Sequence, residues 1–112
     1  MHRLNLSALL LTLLLAGCGH EPSSVTVQTD GMHFVQDRIE VKTGETVTLR
    51  VVNRDSYAHG FDLDEFDIHT PLAADETREI VFTPDHPGIY TFYCGSPGHK
   101  AAGMTGKLIV KS

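Results

Sequence analysis

The stretch that decides the fold lies near the end of the chain and reads Tyr93-Cys94-Gly95-Ser96-Pro97-Gly98-His99-Lys100-Ala101-Ala102-Gly103-Met104-Thr105-Gly106-Lys107. A predicted strand, Gly88–Cys94, leads into it, and another, Lys107–Lys111, follows it. Cys94 ends the first strand on the face that points towards the core. A cysteine, a histidine and a methionine therefore fall at equal spacing in one glycine-rich connection between the last two strands.

From Val25 onward the chain alternates apolar and polar residues with the period of two that is typical of strands. Turn residues interrupt this alternation at 30–31, 43–45, 83–88 and 95–98. Short strands separated by turns predict an all-β protein, built as a sandwich or a barrel. The segment Asn53–Ala74 is the least regular, and its number of strands stays open. Further strands are expected around Val25–Gln28, Arg38–Lys42, Thr46–Val51 and Thr77–Thr83.

The charge balance excludes some functions. Acidic side chains outnumber Lys and Arg by 14 to 9 in the 112 residues, and the formal net charge is −5. Proteins that bind nucleic acid neutralise phosphates with clustered basic side chains. The sequence has no such cluster, and it has neither a P-loop nor a G-x-G-x-x-G fingerprint. We therefore expect no nucleic-acid partner and no nucleotide-dependent enzyme.

The first residues indicate export and a lipid anchor. Arg3 is followed by an apolar run, Leu6–Ala16, which is too short to span a bilayer and is typical of a secretory signal. The run ends in Leu-Ala-Gly before Cys18, which resembles the lipobox of bacterial lipoproteins. We predict a signal peptide over 1–17, a lipidated Cys18 with a tether over 18–24, and one domain over 25–112. The mature protein is expected outside the cytoplasm, in the periplasm or on the outer surface, held to a membrane by its lipid.

The candidate ligand residues point to a metal. Cys94, His99 and Met104 share one loop, and His59 follows an upstream strand. Two imidazoles and a thiolate, with a weak thioether, form the ligand set of an electron-transfer copper site. A thiolate and a thioether suit Cu(I), while imidazoles suit both oxidation states. Zinc fits less well because a thioether is a poor zinc ligand.

At these residues the chain resembles the cupredoxins, the blue or type 1 copper proteins. Cys-x4-His is similar to the motif of azurin, auracyanin and rusticyanin, and the segment from His99 to Lys107 is similar to plastocyanin and rusticyanin loops. The resemblance covers about Val25–Ser112 and implies a Greek-key β-sandwich or barrel. It also implies one copper ion, Cu(I) or Cu(II), with His59, Cys94 and His99 as equatorial ligands and Met104 as the axial ligand.

One residue departs from the family pattern. Many cupredoxins carry Asn directly after the first histidine ligand, where it ties that strand to the cysteine loop, whereas this chain has Gly60. Backbone N–H groups near Asn53 or Gly95 are candidates to donate hydrogen bonds to the sulfur. The remaining histidines are expected to bind no metal; they are His20, His33, His69 and His86. The acidic run is expected to be a solvated surface or a surface that steers a basic partner; it comprises Asp62, Asp64, Glu65 and Asp67.

The main functional prediction is a membrane-tethered, monomeric copper protein that carries single electrons between redox proteins, such as a cytochrome and a membrane oxidase or reductase. The alternative is an extracytoplasmic copper chaperone or reservoir, which usually has additional Met and His clusters. Met32 and Met104 are the methionines that follow the signal peptide, which counts against that alternative. Copper enzymes need further His-rich centres, and a binuclear site needs a second Cys in the loop, so no enzymatic activity is expected.

Overall fold

The computed structural model describes residues 22–112; the predicted signal peptide, Cys18 and most of the tether lie outside this range. Nine strands and one short 3₁₀ turn, Asp64–Phe66, make up the regular structure of the described residues. Within residues 22–112, no helix has the length and hydropathy needed to cross a membrane. The strands are β1 (Ser23–Asp30), β2 (His33–Phe34), β3 (Arg38–Lys42), β4 (Val47–Val52), β5 (His59–Leu63), β6 (Ile68–Leu72), β7 (Thr77–Phe82), β8 (Gly88–Tyr93) and β9 (Thr105–Lys111).

The strands form two sheets that enclose one core. One sheet has the order β2-β1-β4-β7 and the other has the order β3-β9-β8-β5-β6. Most pairs are antiparallel, but β1 runs parallel to β4 and β3 runs parallel to β9. Two sheets with crossed connections of this kind form a Greek-key sandwich. The predicted all-β class is confirmed.

The core forms because inward-facing residues alternate with polar ones along most strands. In β4, for example, Val47, Leu49 and Val51 are buried. Three aromatic rings, Phe34, Phe61 and Phe92, pack with centroids 5.0–5.9 Å apart. Gly106 on β9 leaves room for the Phe92 ring, since a methyl group there would overlap that ring and would lie 2.8 Å from the Asp37 carbonyl oxygen. The position of the Phe92 ring therefore requires glycine at position 106 of β9.

Two strands occupy the segment that the sequence left open. β5 does not alternate, because His59, Gly60 and Phe61 are all buried. β6 contains Pro71 and is the edge strand of its sheet, where a residue without an N–H is tolerated. At the other end of the domain, β1 begins at Ser23, so that two residues of the predicted tether pair with β4. Irregular burial and a proline explain why periodicity alone did not indicate β5 and β6.

The pairing of β5 with β6 places Asp62 opposite His69. Oδ1 of Asp62 lies 3.0 Å from Nδ1 of His69, and Asp64 and Asp67 lie within 3.9 Å of the same ring. The hydrogen bond to Asp62 raises the pKa of His69; burial opposes this shift, and the charges of the three carboxylates add to it. Asp62 is not a solvated surface residue as expected, since only 15% of its side chain is exposed.

The ion pair predicts a histidine that titrates above its ordinary pKa of 6.5. Because the pKa is raised in the folded state, the pair stabilises the fold fully below the unfolded pKa, and this contribution is lost as the pH rises through the folded pKa. Asp62→Asn should lower the pKa of His69, which NMR titration of the ring Cε1 protons will measure. Asp85→Asn, which removes the carboxylate beside His86 instead, should leave the His69 titration unchanged. Equal His69 pKa values in the wild type and Asp62→Asn would contradict the assignment.

Candidate metal centre

The candidate ligands converge at one end of the five-stranded sheet. His59 is the first residue of β5, Cys94 directly follows β8, and Met104 directly precedes β9. Because β5, β8 and β9 are neighbours in the sheet, these three positions lie side by side. His99 lies in the loop that connects β8 to β9. The strand order therefore brings together residues that are up to 45 positions apart in the sequence.

The loop from Cys94 to Met104 is closed by main-chain hydrogen bonds. The N–H of Cys94 donates to the carbonyl oxygen of Met104 at 3.0 Å, and the N–H of Met104 donates to that of His99 at 3.1 Å. Gly98 and Gly103 have φ angles of +79° and +96°, in the left-handed region that favours glycine. These turns fold the loop back on itself and direct His99 towards Cys94.

Three donor atoms form a compact triangle. Nδ1 of His99 lies 3.3 Å from Sγ of Cys94, Nδ1 of His59 lies 3.7 Å from the same sulfur, and the two nitrogens are 3.2 Å apart. A point equidistant from the corners of such a triangle lies about 2 Å from each, which is close to ordinary metal–nitrogen and metal–sulfur bond lengths. The geometry therefore fits a single metal ion held by these three residues.

Met104 ends the loop that carries Cys94 and His99. Its exposed fraction is 0%. Its main chain is hydrogen-bonded to both His99 and Cys94. Two imidazoles and a thiolate, with a thioether nearby, form a donor set that suits copper better than zinc. The residues present thus fit a type 1 copper ion.

The sulfur of Cys94 accepts one hydrogen bond from the main chain. The donor is the N–H of Gly60, whose nitrogen lies 3.2 Å from Sγ. The prediction that N–H groups near Asn53 or Gly95 donate to the sulfur is wrong. The N–H of Asn53 donates to the carbonyl oxygen of Glu76, and the N–H of Gly95 donates to Asp62. Gly60 is the donor because it follows His59 on β5, the strand beside Cys94. Such a bond stabilises the negative charge on a thiolate.

A carboxylate ties β5 to the cysteine loop. Oδ2 of Asp62 accepts the N–H of Gly95 at 2.8 Å. A methyl group on Gly95 would lie 2.5 Å from this oxygen, and one on Gly60 would lie 3.1 Å from it. The side chain of Asp62 thus occupies the space that a larger residue would need at Gly95, and it leaves little room for one at Gly60. Asp62 makes the connection that the family pattern assigns to an Asn after the first histidine.

His59 is buried, with an exposed fraction of 2%, and its second ring nitrogen is also engaged. Nε2 lies 2.8 Å from Oδ2 of Asp55, in the connection between β4 and β5. Burial disfavours the charged form of Asp55, but hydrogen bonds from Thr29, Gly31 and His59 outweigh it and lower the pKa of the carboxyl. An ionised carboxylate only accepts hydrogen bonds. Asp55 is therefore suited to accept a proton carried by Nε2 of His59, and Nδ1 is the ring nitrogen that faces Cys94.

His99 differs from His59 because its ring reaches the surface and is only half-buried. Tyr57 lies beside both histidines, with ring centroids 4.9 Å from His59 and 6.3 Å from His99, and 44% of it is exposed. Pro97, Ala101 and Ala102 are exposed in the same loop. The end of the sheet therefore presents small apolar groups and one aromatic ring around His99.

The roles of Asp55, Tyr57 and Asp62 at the site are not indicated by the sequence. None of these residues belongs to a ligand-spacing motif, and their roles depend on contacts across the fold. The remaining histidines stand apart from the donor triangle: in residues 22–112, the grouping of His, Cys, Asp or Glu side chains that could hold a metal is His59, Cys94 and His99. His20 lies outside the described range.

Two curated relatives differ in how much of their length the chain covers. Plastocyanin from Chlamydomonas reinhardtii is 31% identical over 114 aligned positions, which include 89% of this chain and 74% of the plastocyanin sequence. Nitrous-oxide reductase from Ralstonia nicotianae is 34% identical over 58 positions, which include 49% of this chain but only 9% of the reductase. The chain thus spans most of a plastocyanin and a small part of the reductase.

Among solved structures, auracyanin from Roseiflexus castenholzii superposes with a TM-score of 0.74 at 21% identity, over 82% of this chain and 99% of that one. At this identity the likeness shows the fold. The family model of the cupredoxin-like domain matches residues 5–110, which is nearly the whole chain. With the sandwich fold and the Cys-His-His triangle, these matches establish that the chain belongs to the cupredoxin-like family.

Proposed function

We propose that this protein is a carrier of single electrons that binds one copper ion through His59, Cys94, His99 and Met104. The observation that carries the proposal is the convergence of one thiol and two imidazole nitrogens, within 3.7 Å of each other, at the end of a rigid sheet. The bound ion would supply the chemistry by alternating between Cu(I) and Cu(II). The match to plastocyanin over 89% of the chain supports this function.

The protein contributes a donor arrangement that changes little between the two oxidation states. Strands hold His59 and Cys94, and so do two hydrogen bonds: Asp55 accepts one from His59, and the N–H of Gly60 donates one to Cys94. His99 and Met104 are linked through the main chain of their loop. When ligands are held in this way, little rearrangement is needed on gain or loss of an electron. This favours an electron carrier over an enzyme, which needs an open position for its substrate.

The half-buried ring of His99 is the proposed point of entry and exit for electrons. It is the ligand that reaches the surface, whereas His59 and Cys94 are buried. Exposed Ala101 and Ala102 let the flat surface of another protein approach this ring closely. A copper chaperone would instead need ligands that an incoming protein could displace, and the burial of Cys94 opposes such exchange.

The first prediction concerns the metal. The purified protein should bind one equivalent of Cu(II) and develop an intense thiolate-to-copper band at the red end of the visible spectrum. Cys94→Ser should abolish the band because a hydroxyl cannot replace the thiolate as the charge-transfer donor. Cys18→Ala is the matched control and should keep the colour. A wild-type protein that stays colourless with Cu(II), or loses its copper rapidly to an acceptor protein, would contradict the electron-carrier proposal.

The second prediction concerns Met104. Although a thioether is a soft donor, Cu(II) gains more than Cu(I) from any fourth donor, so Met104→Leu should raise the reduction potential. Met104→Gln offers a harder oxygen, which favours Cu(II), and should lower it. A shift of about 59 mV corresponds to a tenfold change in preference, or about 1.4 kcal/mol, for one electron. Voltammetry measures these shifts, and Met32→Leu, in the turn before β2, is the control. If the Met104 variants match the wild-type potential, Met104 is a packing residue only.

The third prediction concerns location. We infer that the mature protein is held outside the cytoplasm by a lipid on Cys18, which lies outside the described residues. The intact mass of the membrane-extracted protein should exceed that of residues 18–112 by the mass of the lipid. Cys18→Ala should remain uncleaved or become soluble while still binding copper. Wild-type protein that is wholly soluble and carries no lipid would show that the lipobox match is accidental.

An exposed acidic turn that is hydrogen-bonded to Tyr93 supports a basic partner. Asp64, Glu65 and Asp67 are exposed between β5 and β6, and the hydroxyl of Tyr93, the residue before Cys94, donates to Asp64 at 2.7 Å. The chain also carries a net charge of −5. Clustered charge of one sign steers a partner of opposite sign during the encounter. We therefore propose a basic redox protein, such as a cytochrome, as a partner.

The fourth prediction tests this partner class. The rate constant for electron transfer to a basic cytochrome c, measured by stopped flow, should fall as ionic strength rises. Asp64→Asn combined with Glu65→Gln should lower the rate at low salt and flatten its salt dependence. The control, Asp85→Asn, removes a charge from the connection that precedes β8, at the opposite end of that strand from Cys94. The double variant removes two charges and the control removes one, so equal effects per charge removed would assign the steering to net charge and not to this turn.

A further inference from the structure

The carboxylate of Asp55 contacts the buried edge of His59. Its Oδ2 lies 2.8 Å from Nε2 of His59, and the side chain of His59 is 0% exposed while that of Asp55 is 16% exposed. His99 has a different setting, because its ring is half-buried. The two imidazoles of the centre therefore differ in exposure. The ring nitrogen of His59 that does not face Cys94 contacts the carboxylate of Asp55.

Asp55 is held in place by donors other than His59. Oδ2 also accepts the hydroxyl of Thr29 at 2.8 Å, and Oδ1 accepts the N–H of Gly31 at 3.0 Å. The main chain around Asp55 is fixed too, since its own N–H donates to Oδ1 of Asn53. Both oxygens thus accept hydrogen bonds from the end of β1 and the turn that follows it. The carboxylate cannot turn away from His59 without losing these bonds.

The charge of Asp55 acts on the metal position through the imidazole ring. A negative charge on the far side of a ligand attracts a divalent ion more strongly than a monovalent one, because the Coulomb energy is proportional to the charge. A carboxylate that accepts the second N–H of a metal-bound histidine also fixes the tautomer and makes the ring a stronger donor. Both effects favour Cu(II).

We propose that Asp55 is a positioning residue that fixes His59 with its proton on Nε2 and, through its charge, stabilises Cu(II) over Cu(I) and so lowers the reduction potential. The copper part of the proposal rests on the function proposed above. The tautomer part concerns the protein alone and can be tested without copper.

The first experiment uses the metal-free wild-type protein. Long-range ¹⁵N–¹H NMR spectra of the histidine rings, recorded where His59 is neutral, should show its proton on Nε2 and an unprotonated Nδ1. In Asp55→Asn, this preference should weaken, since an amide cannot accept from His59 on one side and from Gly31 on the other with both of its polar atoms. A proton on Nδ1 of His59 in the wild type would overturn the proposal.

The second experiment measures the reduction potential of the copper-loaded protein and three variants. Asp55→Asn should raise the potential, with an expected loss of about tenfold in preference for Cu(II), the lower end of the effects seen when such outer partners are removed. That loss corresponds to about 59 mV for one electron. Asp30→Asn is the charge control, because Asp30 lines the same surface cleft as Asp55. Thr29→Val is the structural control, because it removes a hydroxyl that donates to Asp55 but keeps the carboxylate on His59.

The outcomes separate the alternatives. A shift in Asp55→Asn that exceeds those in Asp30→Asn and Thr29→Val supports the proposal. Equal shifts in Asp55→Asn and Asp30→Asn would overturn it in favour of a general charge effect, and an equal shift in Thr29→Val would overturn it in favour of a structural one. A wild-type protein without a coloured copper site would overturn the proposed function and the copper part of this inference, while the tautomer spectra would still decide the positioning of His59.

Discussion

The antiparallel pairing of β8 with β9 is the constraint on which the candidate site depends. It brings the two ends of the ligand loop together, and the N–H of Cys94 closes them by donating to the carbonyl oxygen of Met104. The aromatic core secures this pairing, because Phe92 on β8 packs over Gly106 on β9. The site thus inherits its rigidity from ordinary sheet hydrogen bonds and from core packing, without a disulfide among the described residues.

Two carboxylates, Asp55 and Asp62, support the site from outside the ligand set. Each accepts several hydrogen bonds and links two parts of the chain: Asp55 links the β1–β2 connection to His59, and Asp62 links β5 to the cysteine loop. A carboxylate that is largely removed from water is tolerated only when donors surround it. No buried side-chain nitrogen or oxygen in residues 22–112 lacks a partner. This complete pairing makes alternative loop conformations costly.

The site is also asymmetric. His59 is buried beside a charge, whereas His99 is half-buried beside small apolar residues and Tyr57. The buried side suits retention of a metal and the exposed side suits contact with a partner. The exposed acidic turn, Asp64–Phe66 and Asp67, follows β5, and Lys100 in the ligand loop packs over the ring of Tyr93 at 4.0 Å. Lys100 thus places a charge in the ligand loop itself, whereas the acidic turn lies at the end of β5 opposite His59.

The sequence by itself determined the all-β class, most strands and the candidate ligands, because alternation with a period of two and the Cys-x4-His-x4-Met spacing are local patterns that do not require a fold to be recognised. It did not indicate β5 and β6, where burial on both faces and Pro71 remove the alternation. The N–H of Gly60 on the sulfur, Asp55 behind His59 and Asp62 on the cysteine loop were decided only by the tertiary structure. Each is a contact between residues far apart in the chain or with no characteristic spacing, and it exists because neighbouring strands place their ends at one edge of the sheet.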